Sequence, residues 1–267
     1  MGTETHVVKA SGEREEFDVE KVRKTCLRAG ASHKLANRIA EEVRKKARDG
    51  MTTGEIRKLT LKLLEEEPEA ATRYGLKAAI MSLGPTGFPF ERFVAELLRD
   101  YGYRTEVGKI VQGKCVDQEV DVVAERSGKC YMIECKYHNS PGTYTDLKVV
   151  MYTYARFLDL NESFDRVWLF CNTKLTSEAR KYAECVGLRV TSWRYPPGEG
   201  LERMVEEKKL YPTTILRSVG DETRSRLFGA GIILTRDLLE LGPRGLARAT
   251  GLSMETVEKI VEEATRI

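Results

Sequence analysis

The chain has 267 residues, 41% of them hydrophobic and 32% charged, which is enough for two or three domains with buried cores. It has no run of about eighteen apolar residues and no apolar leader, so the sequence predicts neither a transmembrane helix nor a secretory signal. A net charge of +3 excludes nucleic-acid binding through a global basic field and leaves only local patches. The six cysteines form no zinc spacing, and a reduced cytoplasm is the expected compartment.

Two clusters of glycine and proline divide the chain into three blocks. The first cluster spans 84–89 and the second spans 195–200. We therefore predict three domains. Their expected bounds are 1–85, 86–197 and 198–267.

The first block is expected to be mostly helical after an opening hairpin. Two short runs at 6–10 and 15–19 lie on either side of a turn candidate, Ser11-Gly12. Helical periodicity follows, and Thr52-Thr53-Gly54-Glu55 has the form of a capped helix start. A final helix, rich in alanine, is predicted over 69–83.

The phrases VVKASG at 7–12 and FDVEKV at 17–22 resemble the ATP-cone, a small nucleotide-binding regulatory domain best known from ribonucleotide reductases and their repressor. The resemblance covers about residues 6–83 and implies ATP or dATP as an effector. Ala10 stands where the family usually has arginine, a bidentate phosphate donor, so a protein–protein module is the alternative. The nucleotide-binding residues that it implies are Val8, Lys9 and Lys21.

The middle block alternates helices and strands in the order α-β-β-β-α-β-α-β. This order predicts an α/β fold with a central mixed sheet flanked by helices. An apolar stripe over 90–101 predicts the first helix, and the continuous apolar run at 167–171 predicts a buried parallel strand. Further helices are expected at about 146–158 and 177–186.

Candidate catalytic residues lie on a predicted hairpin whose two apolar runs are joined by Ser127-Gly128. The first run carries Asp121, and the second carries Glu134 and Lys136, which alternation places on the same side of the strand. Such a set could hold a divalent metal and cut a phosphodiester. The alternative is a hairpin with an exposed charged face, because Glu-x-Lys recurs at 206–208, where a solvated helix is expected.

The phrases VDVVAE and IECKYH resemble the PD-(D/E)xK nuclease superfamily, and most closely its Mrr-like restriction endonucleases, over about residues 87–193. The resemblance implies a Mg²⁺-dependent (or Mn²⁺-dependent) endodeoxyribonuclease of the type IV restriction kind. It implies metal binding by Asp121, Glu134 and the backbone carbonyl of Cys135. The catalytic residues that it implies are Glu91, Asp121, Glu134 and Lys136.

Three residues of the middle block have a structural interpretation as well as a functional one. Glu91 is also a first-turn glutamate of the kind that a helix dipole favours. Lys148 and Arg156, on the following helix, are candidates for phosphate contacts with DNA, and solvated surface positions are the alternative.

The third block is expected to be all-α. Two glycine-containing turns, at Gly220 and Gly251, each precede a helix, and a short helix over 235–241 ends at Gly242-Pro243. This pattern resembles a tandem helix-hairpin-helix domain, in which Gly220 and Gly251 would aim backbone N–H groups at DNA phosphates. Dimerisation or domain docking is the alternative role.

The three resemblances together predict a metal-dependent DNA endonuclease with a nucleotide effector. DNA is the expected partner, no membrane is involved, and a cytoplasmic homodimer is expected because double-strand cleavage needs two active sites. The alternative is a non-catalytic, nucleotide-responsive DNA-binding regulator on a nuclease-like scaffold.

Overall fold

The computed structural model describes residues 5–10 and 12–267, which form two compact units. One unit comprises the residues up to Ala78 together with Thr265–Ile267, and the other comprises Ala79–Ala264. The predicted boundaries between three domains therefore stay a prediction. Within the described residues, no helix has both the length and the apolar character that a membrane span requires.

A small sheet forms one layer of the first unit. Strands β1 (His6–Val8) and β2 (Arg14–Glu16) are antiparallel, and β3 (Met51–Thr52) lies parallel to β1 on its other side. The two strands of the predicted hairpin are thus confirmed. Ser11, in its predicted turn, lies outside the described residues.

Four helices pack with this sheet around a core that includes Cys26, Ile39, Val43 and Leu64. The predicted capped start is confirmed, because the Thr52 hydroxyl accepts from the Glu55 N–H at 3.1 Å and the Glu55 carboxylate accepts from the Thr52 N–H at 2.8 Å. The helices are α1 (Val19–Arg28), α2 (His33–Lys46), α3 (Thr53–Leu63) and α4 (Pro68–Met81).

The second unit contains a five-stranded mixed sheet, as predicted. In chain order its strands are β4 (Arg104–Gln112), β5 (Asp117–Arg126), β6 (Lys129–Lys136), β8 (Arg166–Cys171) and β10 (Arg189–Thr191). In space the order is β10-β8-β6-β5-β4. Strands β4, β5 and β6 are antiparallel neighbours, whereas β8 is parallel to both β6 and β10. The short strands β7 (Tyr144–Thr145) and β9 (Lys174–Leu175) form a separate parallel pair.

Helices cover the sheet in the predicted order. They are α5 (Phe88–Asp100) before β4, α6 (Leu147–Leu160) before β8 and α7 (Ser177–Val186) before β10. The apolar stripe of α5 is fully buried at Phe90, Phe93 and Leu97. The predicted turn between β5 and β6 is confirmed, since Ser127 and Gly128 both have left-handed backbones, with φ of 52° and 71°.

The C-terminal part of this unit is helical. Its helices are α8 (Leu201–Lys208), α9 (Asp221–Gly229), α10 (Thr235–Thr250) and α11 (Met254–Ala264). Gly242 has φ of 60° and interrupts α10 at the predicted helix end. Arg236 of α10 pairs with Glu96 and Asp100 of α5, so α10 adjoins a helix of the five-stranded sheet within the same unit.

Candidate active site

The β5–β6 hairpin brings Asp121 and Glu134 side by side. Val122 pairs with Ile133, so Asp121 and Glu134 are the next residues beyond that pair on two antiparallel strands. One carboxylate oxygen of Asp121 accepts the backbone N–H of Cys135 at 2.7 Å. The predicted alternation is confirmed, because Ile133 and Cys135 are buried on one face while Glu134 and Lys136 lie on the other.

Burial disfavours the ionised form of both carboxylates. Burial, together with the neighbouring Asp121 carboxylate, raises the pKa of Glu134 to about 7, although Arg156 opposes the rise. Burial also raises the pKa of Asp121, although the Cys135 N–H, Arg156 and Lys136 oppose the rise. A pair of this kind favours a cation between or beside its oxygen atoms.

A third carboxylate, Glu91, approaches this pair from α5. Burial, together with repulsion from Asp121 and Glu119, raises its pKa to about 7. Glu91 therefore lies in the electrostatic range of the hairpin, and its catalytic role stays a prediction. The alternative interpretation, a glutamate in the first turn of a helix, also agrees with the structure, because Glu91 lies in the first turn of α5.

Arg156 of α6 neutralises Glu134. Its Nη1 forms an ion pair with the Glu134 carboxylate, and the two side chains are only 12% and 15% exposed. Two further guanidinium hydrogens are also used: Nε donates to Gln118 at 2.8 Å, and Nη2 donates to the carbonyl oxygen of Glu119. The structure thus places Arg156 against the sheet, whereas Lys148 on the same helix is exposed.

Lys136 ends β6 opposite Cys171 of β8. The segment beyond it is held by Asn172, which is fully buried: its side chain accepts the His138 N–H at 2.9 Å and donates to the His138 carbonyl at 2.7 Å. This double hydrogen bond fixes where the chain leaves the strand, and therefore where the base of the Lys136 side chain lies.

The oxygen atoms at this site are of the chemical type that a hard cation prefers as ligands. Carboxylates and a carbonyl are the oxygen ligands that Mg²⁺ and Mn²⁺ prefer, and the Cys135 thiol is buried, with its pKa raised well above the usual range. Throughout residues 5–10 and 12–267, no group of three or more His, Cys, Asp or Glu side chains is placed to hold a metal ion. Asp121 and Glu134 supply two carboxylates, and the predicted third ligand is a main-chain oxygen.

Both predicted nucleotide-binding lysines of the first unit form ion pairs with the same carboxylate. Glu15 is within 3.0 Å of the Lys9 ammonium and 3.3 Å of the Lys21 ammonium. Glu13 is also 3.0 Å from Lys9, and hydrogen bonds to Glu13 and Glu15 raise the pKa of Lys9. Val8, the remaining predicted residue, is the last residue of β1.

The predicted glycine hairpins have different surroundings. Gly220 precedes α9, and Gly251 ends α10 with φ of 66°. Near the first of these turns, the Glu263 carboxylate accepts the N–H groups of Arg217 and Ser218, at 2.7 and 3.0 Å. An internal carboxylate therefore occupies two backbone donors next to this turn.

Comparison with known families agrees with these observations. Residues 5–76 match the ATP cone domain, residues 85–194 match a family described as restriction endonuclease, and residues 211–267 match the AF1548-like C-terminal domain. The resemblances predicted for the first two blocks are confirmed. The middle of the chain is thus a restriction-endonuclease-like domain.

Known relatives match about two thirds of this chain. An uncharacterised protein of Archaeoglobus fulgidus is 49% identical over 175 residues, which cover 65% of this chain and 99% of that protein. The crystal structure of AF1548, described as a protein of unknown function, is 48% identical, with a TM-score of 0.62, and covers 67% of this chain and 97% of that chain. The chain belongs to this AF1548-like family.

A more distant likeness is to Can2 from Sulfobacillus thermosulfidooxidans, solved in complex with cyclic tetra-adenylate. The identity is 18% and the TM-score 0.37, with 73% of this chain and 64% of that chain covered. A likeness this low carries no inference about the present chain.

Arg156 was predicted as a candidate phosphate contact, with a solvated surface position as the alternative, and its ion pair with Glu134 was not predicted. Helical periodicity offered evidence for it: Val149, Thr153, Arg156 and Leu160 recur at the spacing of one helix face, which faces inward. A lone arginine on such a face needs a buried acceptor. The roles of Gln118 and Asn172 required knowledge of which strands are neighbours.

We expect Glu91→Gln to stabilise the metal-free protein above pH 7. The pKa of Glu91 is higher in the folded state than in the unfolded state, so protonation of Glu91 stabilises the folded protein. This contribution is fully present below the ordinary glutamate pKa and is lost as the pH rises through about 7. At pH 8 the neutral glutamine should therefore gain about 1–2 kcal/mol, after allowance for partial exposure. Urea unfolding in EDTA at pH 8 and pH 4 measures this gain.

Glu240→Gln, at an exposed position of α10, is the matched control for Glu91→Gln. It should change the free energy of unfolding little at either pH. An equal gain for Glu91→Gln at pH 4 and pH 8 would contradict a raised pKa for this carboxylate.

Replacing Arg156 with glutamine should destabilise the protein in EDTA. The change leaves Glu134 buried beside Asp121 without its cation, which typically costs about 3–5 kcal/mol. Urea unfolding at pH 8 measures the loss, and Arg166→Gln, an exposed arginine at the start of β8, is the control. Equal midpoints for the two variants would show that the ion pair contributes nothing to stability.

Proposed function

We propose that this chain is a metal-dependent DNA endonuclease that hydrolyses phosphodiester bonds. The observation that supports the proposal most is the meeting of Asp121 and Glu134 on adjacent strands, with Lys136 two residues along β6 and Glu91 facing them from α5. A structural hairpin gains nothing from burying two adjacent carboxylates, because each raises the free energy of ionising the other.

The proposed roles follow from the chemistry of each group. Asp121, Glu134 and the Cys135 carbonyl would hold Mg²⁺ or Mn²⁺, and that ion, when bound, supplies Lewis acidity toward water and the scissile phosphate. Lys136 would orient the attacking water or stabilise the charge that develops on the phosphate. Glu91 would complete the arrangement by accepting a hydrogen bond from a water molecule in the site.

The rest of the proposal concerns partners. DNA is the proposed substrate, and the proposed enzyme class is a type IV restriction endonuclease. A homodimer is proposed because duplex DNA presents two-fold related strands. Glycine turns at Gly220 and Gly251 are proposed DNA contacts, and the cytoplasm is the proposed compartment.

Replacing Glu134 or Lys136 with alanine should lower the rate of plasmid cleavage by about 100-fold or more, because each substitution removes a group that acts on the reacting phosphate. The assay uses supercoiled plasmid with Mg²⁺ or Mn²⁺, and gel densitometry gives the rate of nicking. Glu206→Ala and Lys208→Ala, in the second Glu-x-Lys of the chain on α8, are the matched controls. Cleavage unaffected by either active-site change would exclude this site.

A non-catalytic DNA-binding regulator is the second candidate. The observation that favours it is the Arg156–Glu134 ion pair, which already neutralises one of the two proposed carboxylate ligands. The same variants distinguish the two functions. DNA binding without nicking under Mg²⁺ or Mn²⁺, with an affinity that ATP alters, would identify the regulator.

We also propose that the first unit binds ATP or dATP. The support is that the ammonium groups of Lys9 and Lys21 meet at Glu15, so a phosphate that displaces this carboxylate would contact both. Lys9→Ala and Lys21→Ala should each weaken ATP binding by about tenfold in calorimetry, whereas Lys46→Ala, exposed at the end of α2, should not. No heat of binding for the wild type would favour a protein–protein role instead.

A further inference from the structure

The solvent-facing side of α6 carries large apolar side chains. Met151, Tyr152 and Leu158 are 47%, 61% and 49% exposed, and Ala155 between them is exposed as well. The opposite side of the same helix packs inward through Val150 and Thr153. A helix that is apolar on both sides is typical of one that is covered on both sides.

These exposed residues form one continuous stripe, which we call the α6 stripe. It runs from Lys148 through Met151, Tyr152, Ala155 and Leu158 to Glu162, just beyond the end of the helix. The spacings are those of a single helix face. At 1.5 Å per residue the stripe is about 21 Å long, which is long enough for a helix–helix contact.

The α6 stripe is complementary to an antiparallel copy of itself. Ala155 lies seven positions after Lys148 and seven before Glu162, and it lies three positions after Tyr152 and three before Leu158. A two-fold axis through Ala155 therefore places Lys148 of one copy opposite Glu162 of the other, and Tyr152 opposite Leu158. The small side chain at the centre allows two helix axes to approach to about 8 Å.

The charges at the two ends of the stripe are available for such a contact. Lys148 and Glu162 are both exposed, and within residues 5–10 and 12–267 neither has an ion-pair partner. A partner of another kind would not need opposite charges at equal distances from an alanine. DNA in particular would be repelled by Glu162 and would gain nothing from Met151 and Leu158.

The loop beside the C-terminal end of the stripe extends the surface. The Asp159 carboxylate accepts the N–H of Cys115 at 2.7 Å and the side-chain amide of Gln118 at 2.6 Å, which holds the β4–β5 loop against α6. Val116 of this loop is 62% exposed. It therefore adds apolar area on a loop that is bound to Asp159, the residue after Leu158.

We propose that α6 pairs with α6 of a second copy of this chain, antiparallel and crossing at Ala155. The inference rests on the proposed homodimer and names its surface, and it assigns Lys148 to this contact rather than to DNA. Tyr152 lies under the Arg156 guanidinium at 5.6 Å, and Arg156 binds Glu134. The contact thus adjoins the candidate active site, so both sites of the dimer would lie near its two-fold axis.

Sedimentation velocity of the full chain in EDTA, without DNA, tests the proposal. The wild type should be a dimer at micromolar concentration, and Ala155→Arg, which places two guanidinium groups at the crossing point, should raise the dissociation constant at least ~100-fold. Lys148→Glu and Glu162→Lys should each raise it by about tenfold, since each loss occurs twice by symmetry. The double variant Lys148→Glu/Glu162→Lys should return to within about threefold of the wild type.

Lys181→Glu, an exposed lysine of α7, is the matched control and should leave the dissociation constant unchanged. Circular dichroism verifies that each variant is folded. A dimer that survives Ala155→Arg, or a charge-swapped double variant that fails to recover, overturns the α6 contact but leaves the homodimer in place. A monomeric wild type overturns both, and variants that lose only DNA affinity reassign the stripe to DNA. The cleavage assay reports separately on the nuclease proposal.

Discussion

The second unit depends on the burial of two carboxylates beside each other. Asp121 and Glu134 are adjacent because the β5–β6 register makes them so, and no side-chain rotation can separate them widely. Their repulsion must be offset by groups that the fold brings to the same place. The Cys135 N–H offsets part of it for Asp121, and the Arg156 guanidinium offsets part of it for Glu134.

This requirement fixes the position of α6. Arg156 can reach Glu134 only if the inward face of the helix lies over β5 and β6, and its two other hydrogen bonds hold it there through Gln118 and Glu119. Gln118 in turn donates to Asp159, near the C-terminal end of the helix. Gly113 is required at the same place, because a Cβ atom there would lie 2.3 Å from an Asp159 oxygen and 2.4 Å from the Val116 carbonyl. The polar contacts around the site are therefore cooperative rather than independent.

Much of the second unit could be predicted because its patterns are local. The turn at Ser127-Gly128 and the alternation of Glu134 with Cys135 need only neighbouring residues, and the buried run of β8 could be identified from its length and composition. The pairing of Arg156 with Glu134 could not be predicted in this way, since the partners lie 22 residues apart and meet only when helix and sheet are docked. Strand β3 was missed because two residues show no periodicity. The raised pKa values of Glu91 and Glu134 likewise depend on burial, which the sequence pattern does not measure.

The carboxylate of Glu263 has a consequence for nucleic-acid recognition by the third block. Because it belongs to the same chain as the Arg217 and Ser218 amides, it competes with any phosphate at a high effective concentration. A phosphate that binds these two amides must displace the Glu263 carboxylate from them. One anion then replaces another, and the amides gain no additional contact. At the Gly251 turn the internal acceptors are neutral: the Gly251 N–H donates to the Ala247 carbonyl, and the Leu252 N–H donates to the Thr250 hydroxyl. The two turns, although alike in sequence, are therefore expected to differ in phosphate affinity and in their sensitivity to salt.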